Sequence, residues 1–170
     1  MKVTVPLTES GVLADRFSKY ATGDDVYEGR PVRSFPITLR DLPAGTRTIA
    51  LTLVDDDAIP VAGFSWIHWT AANIPATWTT IPEDASREST GAFLQGKNSN
   101  ASRYVGCDDS AVYQRYTGPR PPDKVHHYTL KVYAVDTKLA LTEGFYMNEL
   151  GHALAGHVLA EVTVDLPSRA

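Results

Sequence analysis

A single cysteine, Cys107, stands among the 170 residues, so no intramolecular disulfide can form. That excludes the stapled scaffolds of small secreted proteins and fits a reducing compartment. No uninterrupted apolar run is long enough to cross a bilayer. The opening MKVTVPLTESG also lacks an apolar stretch of signal-peptide length. The expectation is a cytoplasmic protein without integral membrane association. Charge of one sign is scarce as well: sixteen basic against twenty acidic side chains leave a net charge of -4. The electrostatic footprint of a nucleic-acid binder is therefore missing. Several motifs are absent too. No HExxH pair points to zinc, no GxSxG elbow to a serine hydrolase, and no GxGxxG or Walker loop to a nucleotide. His152 and His157 are five residues apart, a spacing that puts them on different sides of a helix. No metal and no cofactor are expected.

What is present describes an ordinary folded chain. With 43% hydrophobic and 21% charged residues, the composition excludes wholesale disorder. The length suits one domain over residues 1–170 with a sizeable core. Twelve glycines and eleven prolines are spread throughout, which suits short strands joined by turns. TIALTLV (residues 48–54), FSWIHWTAA (64–72) and HHYTLKVYAV (126–135) are β-branched or aromatic runs of strand length. In HVLAEVTVDL, Val158, Ala160, Val162 and Val164 alternate with Leu159, Glu161, Thr163 and Asp165, the period of a strand with one buried face. One segment carries helical spacing: Met147, Leu150, Leu154 and Val158 recur every three or four residues, and Gly156 is placed to end the helix. PEDASRE (residues 82–88) reads as a helical turn. The polar stretch over residues 95–124 reads as an extended loop. Strands outnumber helices and are separated by irregular loops, so an antiparallel β-sandwich is expected rather than a doubly wound sheet.

The chemistry-bearing residues gather around DDDAIPVAGFSWIHW, where Asp55, Asp56 and Asp57 precede Trp66, His68 and Trp69. An aspartate cluster after a strand is most often a turn, because Asp bonds nearby backbone. Tryptophan and tyrosine on strands most often pack. Residues two apart on a strand share a face, so Trp66 and His68 point the same way, as do His126 and Tyr128. If these faces look into one pocket, it holds two imidazoles, an indole and a phenol, with Asp55 and Asp57 at the end of the preceding strand.

Four segments in order, LVDDDAIPVAGFSWIHWTAANIP, YTGPRPP, HHYTLKVYAVD and GHVLAEV, resemble the phosphatidylethanolamine-binding protein family, in its bacterial and archaeal Raf-kinase-inhibitor-like branch. The similarity runs from about Pro36 onward. It implies a mainly β, antiparallel Greek-key sandwich with a few short peripheral helices. It also implies a pocket that accepts phosphate-like anions, carried by Asp55, His68, His126 and Tyr128. Trp66 and the loop with Gly118, Pro121 and Pro122 would form its walls, with Asp57 and Pro60 in support. The chain departs from the family pattern at Asp56, where proline is usual, at Ile59, which adds one residue before Pro60, and at His127, which replaces arginine. The segment over residues 99–116 is longer than expected.

An aspartate beside an anion needs explaining, since like charges repel strongly where water is excluded. Asp55 can bond a histidine and favour the imidazolium that faces the anion. Alternatively, a monoprotonated phosphate donates its proton to Asp55. The function expected is binding of a small phosphorylated or carboxylated ligand, without catalysis. A module that docks on a kinase or protease is the alternative, and an Asp/His hydrolase is a weaker one. The sequence identifies no protein partner, and because bacterial relatives often form dimers, the resemblance also allows a homodimer.

Overall fold

TIALTLVD is apolar almost without interruption, the pattern of a strand covered on both faces. It occupies the centre of the larger sheet. The computed structural model describes residues 1–170 and contains ten strands and four short α-helices. The strands are β1 (Lys2–Thr4), β2 (Val26–Tyr27), β3 (Arg30–Pro31), β4 (Ile37–Arg40), β5 (Thr48–Asp55), β6 (Trp66–Pro75), β7 (Thr80–Ile81), β8 (Leu94–Gln95), β9 (His126–Val135) and β10 (Val158–Ser168). The helices are α1 (Ile59–Ala62), α2 (Ala85–Glu88), α3 (Ser110–Tyr113) and α4 (Met147–Leu154).

Five strands pair antiparallel in the order β10-β9-β5-β6-β8, and β1-β4-β7 form a smaller sheet. After the β5–β6 hairpin the chain visits the small sheet and β8, then returns to lay β9 on the far side of β5. This is the non-adjacent connection of Greek-key sandwiches. The main core lies between the sheets. Ile49, Leu51 and Leu53 of β5, Trp69 of β6 and Leu130 and Val132 of β9 meet Val3, Ile37, Leu39 and Ile81 from the small sheet. The opposite face of the large sheet is covered towards one end by α4. There Leu150 and Leu154 pack with Phe145, Leu139 and Val135 over Ala50 and Ala72.

The mainly β antiparallel architecture with few short helices agrees with the reading from sequence, and β9 spans the residues expected of it. Elsewhere the boundaries move. The second strand begins at Trp66, since residues 59–62 form α1, which Gly63 ends at φ 87°. Helix α4 ends at Leu154, and Gly156 turns the chain at φ 81° into β10. Val158 therefore lies on a strand, 40% exposed, and does not extend the helical stripe. His157 is likewise outside the helix and bonds Asp136.

The stretch read as one extended loop is built around a buried side chain. Asn98, 3% exposed, donates through Nδ2 to the carbonyls of Val112 and Arg115, both at 2.8 Å, and accepts through Oδ1 from the Asn100 amide at 2.9 Å. One short polar residue thereby supplies partners to carbonyls that no ladder reaches, and it ties residues 98–101, α3 and the segment before Thr117 together. Asn98→Ala removes the partner of the Arg115 carbonyl and of the Asn100 amide and leaves the Val112 carbonyl only the Thr117 hydroxyl at 3.2 Å. We expect a loss of about 2 kcal/mol in chemical denaturation, and an unchanged midpoint would show that water replaces the amide.

Candidate functional site

The site forms where β5, β6 and β9 end side by side. Register places Asp55 opposite Trp66 on one flank and opposite Tyr128 on the other, so the three make a single row across the sheet. His126 lies two residues before Tyr128 on β9 and reaches the same face. His68 arrives by a different route. Leu53 pairs with Trp69 and Val54 with Ile67, which leaves His68 as the extra residue of a β-bulge. Regular alternation would place His68 and Trp69 on opposite faces. The bulge allows Trp69 to enter the core while the His68 ring lies 5.0 Å from that of Tyr128, edge to face. The bulged backbone is used too, since the His68 carbonyl accepts from the Thr117 amide at 3.1 Å.

The aspartates at the end of β5 divide between three environments. Asp55 is 3% exposed; its Oδ1 accepts from the Ala58 amide at 3.0 Å and its Oδ2 from His126 Nδ1 at 2.8 Å. Asp56 is exposed. Asp57 Oδ2 accepts from the His127 amide at 2.9 Å, fastening the β5–α1 turn to the start of β9. Pro60 occupies the first turn of α1 and is itself exposed, whereas Val61 and Ala62 from the same helix line the cavity.

The two buried histidines carry different charges. His126, 1% exposed, meets a carboxylate at each ring nitrogen: Asp55 at Nδ1, and Asp123 at Nε2, 2.9 Å away. Carboxylates accept and do not donate, so both nitrogens must carry hydrogens and the ring is an imidazolium. Burial works against that charge, but the bonds to Asp55 and Asp123 outweigh it and hold His126 above its ordinary value of 6.5. His68 has one ring bond, from Nδ1 to the Thr117 carbonyl at 2.7 Å. A carbonyl also only accepts, so the proton is on Nδ1. Burial pushes His68 below 6.5 despite that bond and the charge of Asp55. The ring is therefore neutral, with Nε2 left as an acceptor. Tyr128 is raised by burial and then by the Asp55 carboxylate beside it, so its phenol stays protonated.

These groups line a cavity of about 490 Å³. Trp66 forms one wall, with Phe64 stacked on it at 5.8 Å between ring centres. The GPRPP loop forms another, though not as a unit. Gly118 and Pro122 line the cavity, whereas Pro121 is buried away from it and offers its carbonyl to Lys19 Nζ at 3.0 Å. Gly118 is there because nothing larger fits: a Cβ would lie 2.4 Å from the Phe17 carbonyl oxygen and 2.8 Å from Pro31 Cβ.

Sequence reasoning missed the cationic side chains of the lining, Lys19, Arg30 and Arg120, together with Asn100. None of the three cations forms a salt bridge within the protein. Asp55 is the sole acidic residue of the lining. Arg120 sits inside the quoted GPRPP motif and was within reach. Lys19 lies in an N-terminal loop and Arg30 in the two-residue strand β3, both too short of periodicity to signal where they fold.

The fold is thus a Greek-key sandwich that carries an Asp–His–Tyr pocket at the end of its larger sheet. The chain belongs to the phosphatidylethanolamine-binding protein family, whose sequence model matches residues 6–167. The YxkA protein of Bacillus subtilis is 53% identical over 157 residues, covering 92% of this chain and 94% of its own. The YbcL protein of Escherichia coli is 38% identical over 130 residues, covering 72% of this chain and 61% of its own. Among solved structures, a phosphatidylethanolamine-binding protein homolog from Chlamydia trachomatis superposes with a TM-score of 0.76 at 23% identity, over 99% of this chain and 96% of that one, a likeness of fold. The crystal structure of YbcL, described as a member of the mammalian family, gives 0.75 at 27% identity, over 99% and 98%.

Two measurements check the local chemistry. In nitrogen-15 NMR at neutral pH, His126 should be an imidazolium that titrates above 6.5, and His68 a neutral Nδ1–H ring that titrates below it. The signs for stability are opposite. The contribution of His126 is complete below pH 6.5 and is lost as pH rises through its folded value, while His68 withdraws stability as pH falls below 6.5. Two histidines with the same titration would contradict the assignment. Second, His126→Ala leaves the buried Asp55 carboxylate without its cation and should lower stability by about 3 kcal/mol in urea denaturation. A fully stable variant would mean that Asp55 finds another donor.

Proposed function

We propose that the protein is a non-catalytic binding protein whose cavity takes a small molecule by a phosphate or carboxylate group. The observation that carries this reading is the charge of the lining. Lys19, Arg30 and Arg120 have no carboxylate partners, and the one acid among the lining residues, Asp55, is paired with His126, a ring it shares with Asp123. On a chain with net charge -4, such a cationic mouth is a local feature and attracts anions. A volume of about 490 Å³ suits a head group of that kind. The deeper polar contacts fall to His68 Nε2, which accepts, and the Tyr128 hydroxyl, which donates. A partly protonated anion such as monohydrogen phosphate matches both.

Acid–base hydrolysis is the weaker reading for a physical reason. Both oxygens of Asp55 accept internal bonds and His126 is already protonated between carboxylates, so neither is a free general base. The Tyr128 phenol, raised by burial and Asp55, is a poor nucleophile. The single cysteine favours a reducing compartment such as the cytoplasm.

Isothermal titration with inorganic phosphate and phosphoethanolamine tests the proposal. Lys19→Ala and Arg120→Ala, both at exposed positions, should keep the thermal stability of the parent. Each should weaken binding by about threefold to tenfold, the loss expected for one partly screened charge. Binding should tighten as pH falls through the lowered value of His68, where Nε2 gains a proton and changes from an acceptor into a charged donor to the anion. Equal affinity in both variants and the parent would remove the cationic mouth from the account.

A further inference from the structure

Every polar atom of the His126 ring is occupied, although the residue lines a cavity suited to anions. The two occupants are held very differently. Asp55 at Nδ1 is buried within the sheet and fixed by the Ala58 amide. Asp123 at Nε2 has a side chain that is 53% exposed, in a run where Pro122, Lys124 and Val125 are exposed as well. Its side chain is therefore free to leave without disturbing β9. His126, by contrast, remains an ion pair with Asp55 when Asp123 departs, so Nε2–H remains a charged donor on a ring that lines the cavity.

We propose that Asp123 is a resident carboxylate that occupies the ligand-facing nitrogen of His126, so that an incoming anion must displace it. The inference rests on the reading of the cavity as an anion site and adds its specificity element. An anion oxygen takes the Nε2–H bond, and the Asp123 carboxylate swings into water at little cost because it is already half exposed. Exchange of one carboxylate for another returns little energy. A phosphate monoester carries more charge towards Lys19, Arg30 and Arg120, and so displaces Asp123 more readily than a carboxylate does. Asp123 thereby sets the affinity threshold and favours phosphate over carboxylate.

The test titrates inorganic phosphate into the parent, Asp123→Ala, Asp123→Asn, Lys19→Ala and Arg120→Ala. Asp123→Ala frees Nε2–H and should bind phosphate about fivefold to tenfold tighter, the worth of one charge-assisted bond no longer spent on an internal partner. Asp123→Asn keeps an acceptor without the charge and should fall between Asp123→Ala and the parent. The carboxyl carbon of Asp123, followed by carbon-13 NMR in the parent, should move on saturation with phosphate. Equal or weaker binding by Asp123→Ala, while Lys19→Ala and Arg120→Ala lose affinity, leaves the anion site standing and makes Asp123 a brace for the ring. If no variant differs from the parent, or none binds, both readings fall. Binding by Asp123→Ala in the absence of binding by the parent supports displacement in its strongest form.

Discussion

The Asp55 carboxylate is withdrawn from water at 3% exposure, and an ion in that position must be compensated by directed donors. It has them in the Ala58 amide and the His126 imidazolium, at 3.0 and 2.8 Å. The first bond closes the turn that leads into α1, and the second joins the end of β5 to the start of β9. The pair therefore fixes where two walls of the cavity stand. It also fixes the charge of His126, because a ring placed between carboxylates keeps both protons. The state of Tyr128 follows from the same carboxylate, which adds to burial in keeping the phenol protonated.

Around this pair the sheet supplies position and the loops supply charge. Register brings Trp66, Asp55 and Tyr128 into one row, and the bulge adds His68 without expelling Trp69 from the core. None of these groups gives the cavity net positive character by itself, since Asp55 cancels His126. That character comes from Lys19, Arg30 and Arg120, on segments outside the regular strands or at the end of a two-residue one. Buried polar groups thus stand beside more exposed cations. In the proposed reading, such a division lets long-range attraction draw an anion in before short-range groups orient it.

The neutrality of His68 and the charge of His126 show how little the residue type decides. Both are buried, and burial opposes charge in each. His68 bonds a carbonyl, which stabilises a charged ring less than a carboxylate does, and burial wins. His126 bonds two carboxylates, and burial loses. One pocket thereby contains an acceptor and a cation built from the same residue type.

Much of the architecture was written in local pattern. The β-branched run over residues 48–54 marked a strand, the HHYTLKVYAV run β9, and alternation in β10 a strand with one face buried; the sheet order then put β5 at the centre and β10 at an edge. Two-residue parity also put Trp66 with His68 and His126 with Tyr128, because side-chain direction along a strand depends on neighbours alone. Tertiary structure decided what parity cannot reach. The bulge that places Trp69 on the same face as His68 depends on register against β5. The folding of residues 95–117 around Asn98 depends on carbonyls contributed by distant turns. The convergence of Lys19, Arg30 and Arg120, and the approach of Asp123 to His126, depend on loops and a two-residue strand with no periodic signal. Short-range patterns determine the strands because backbone geometry repeats every two residues. The charge and the occupied bonds of the pocket are set by which loops meet there, and that is fixed when the sheets close on their core.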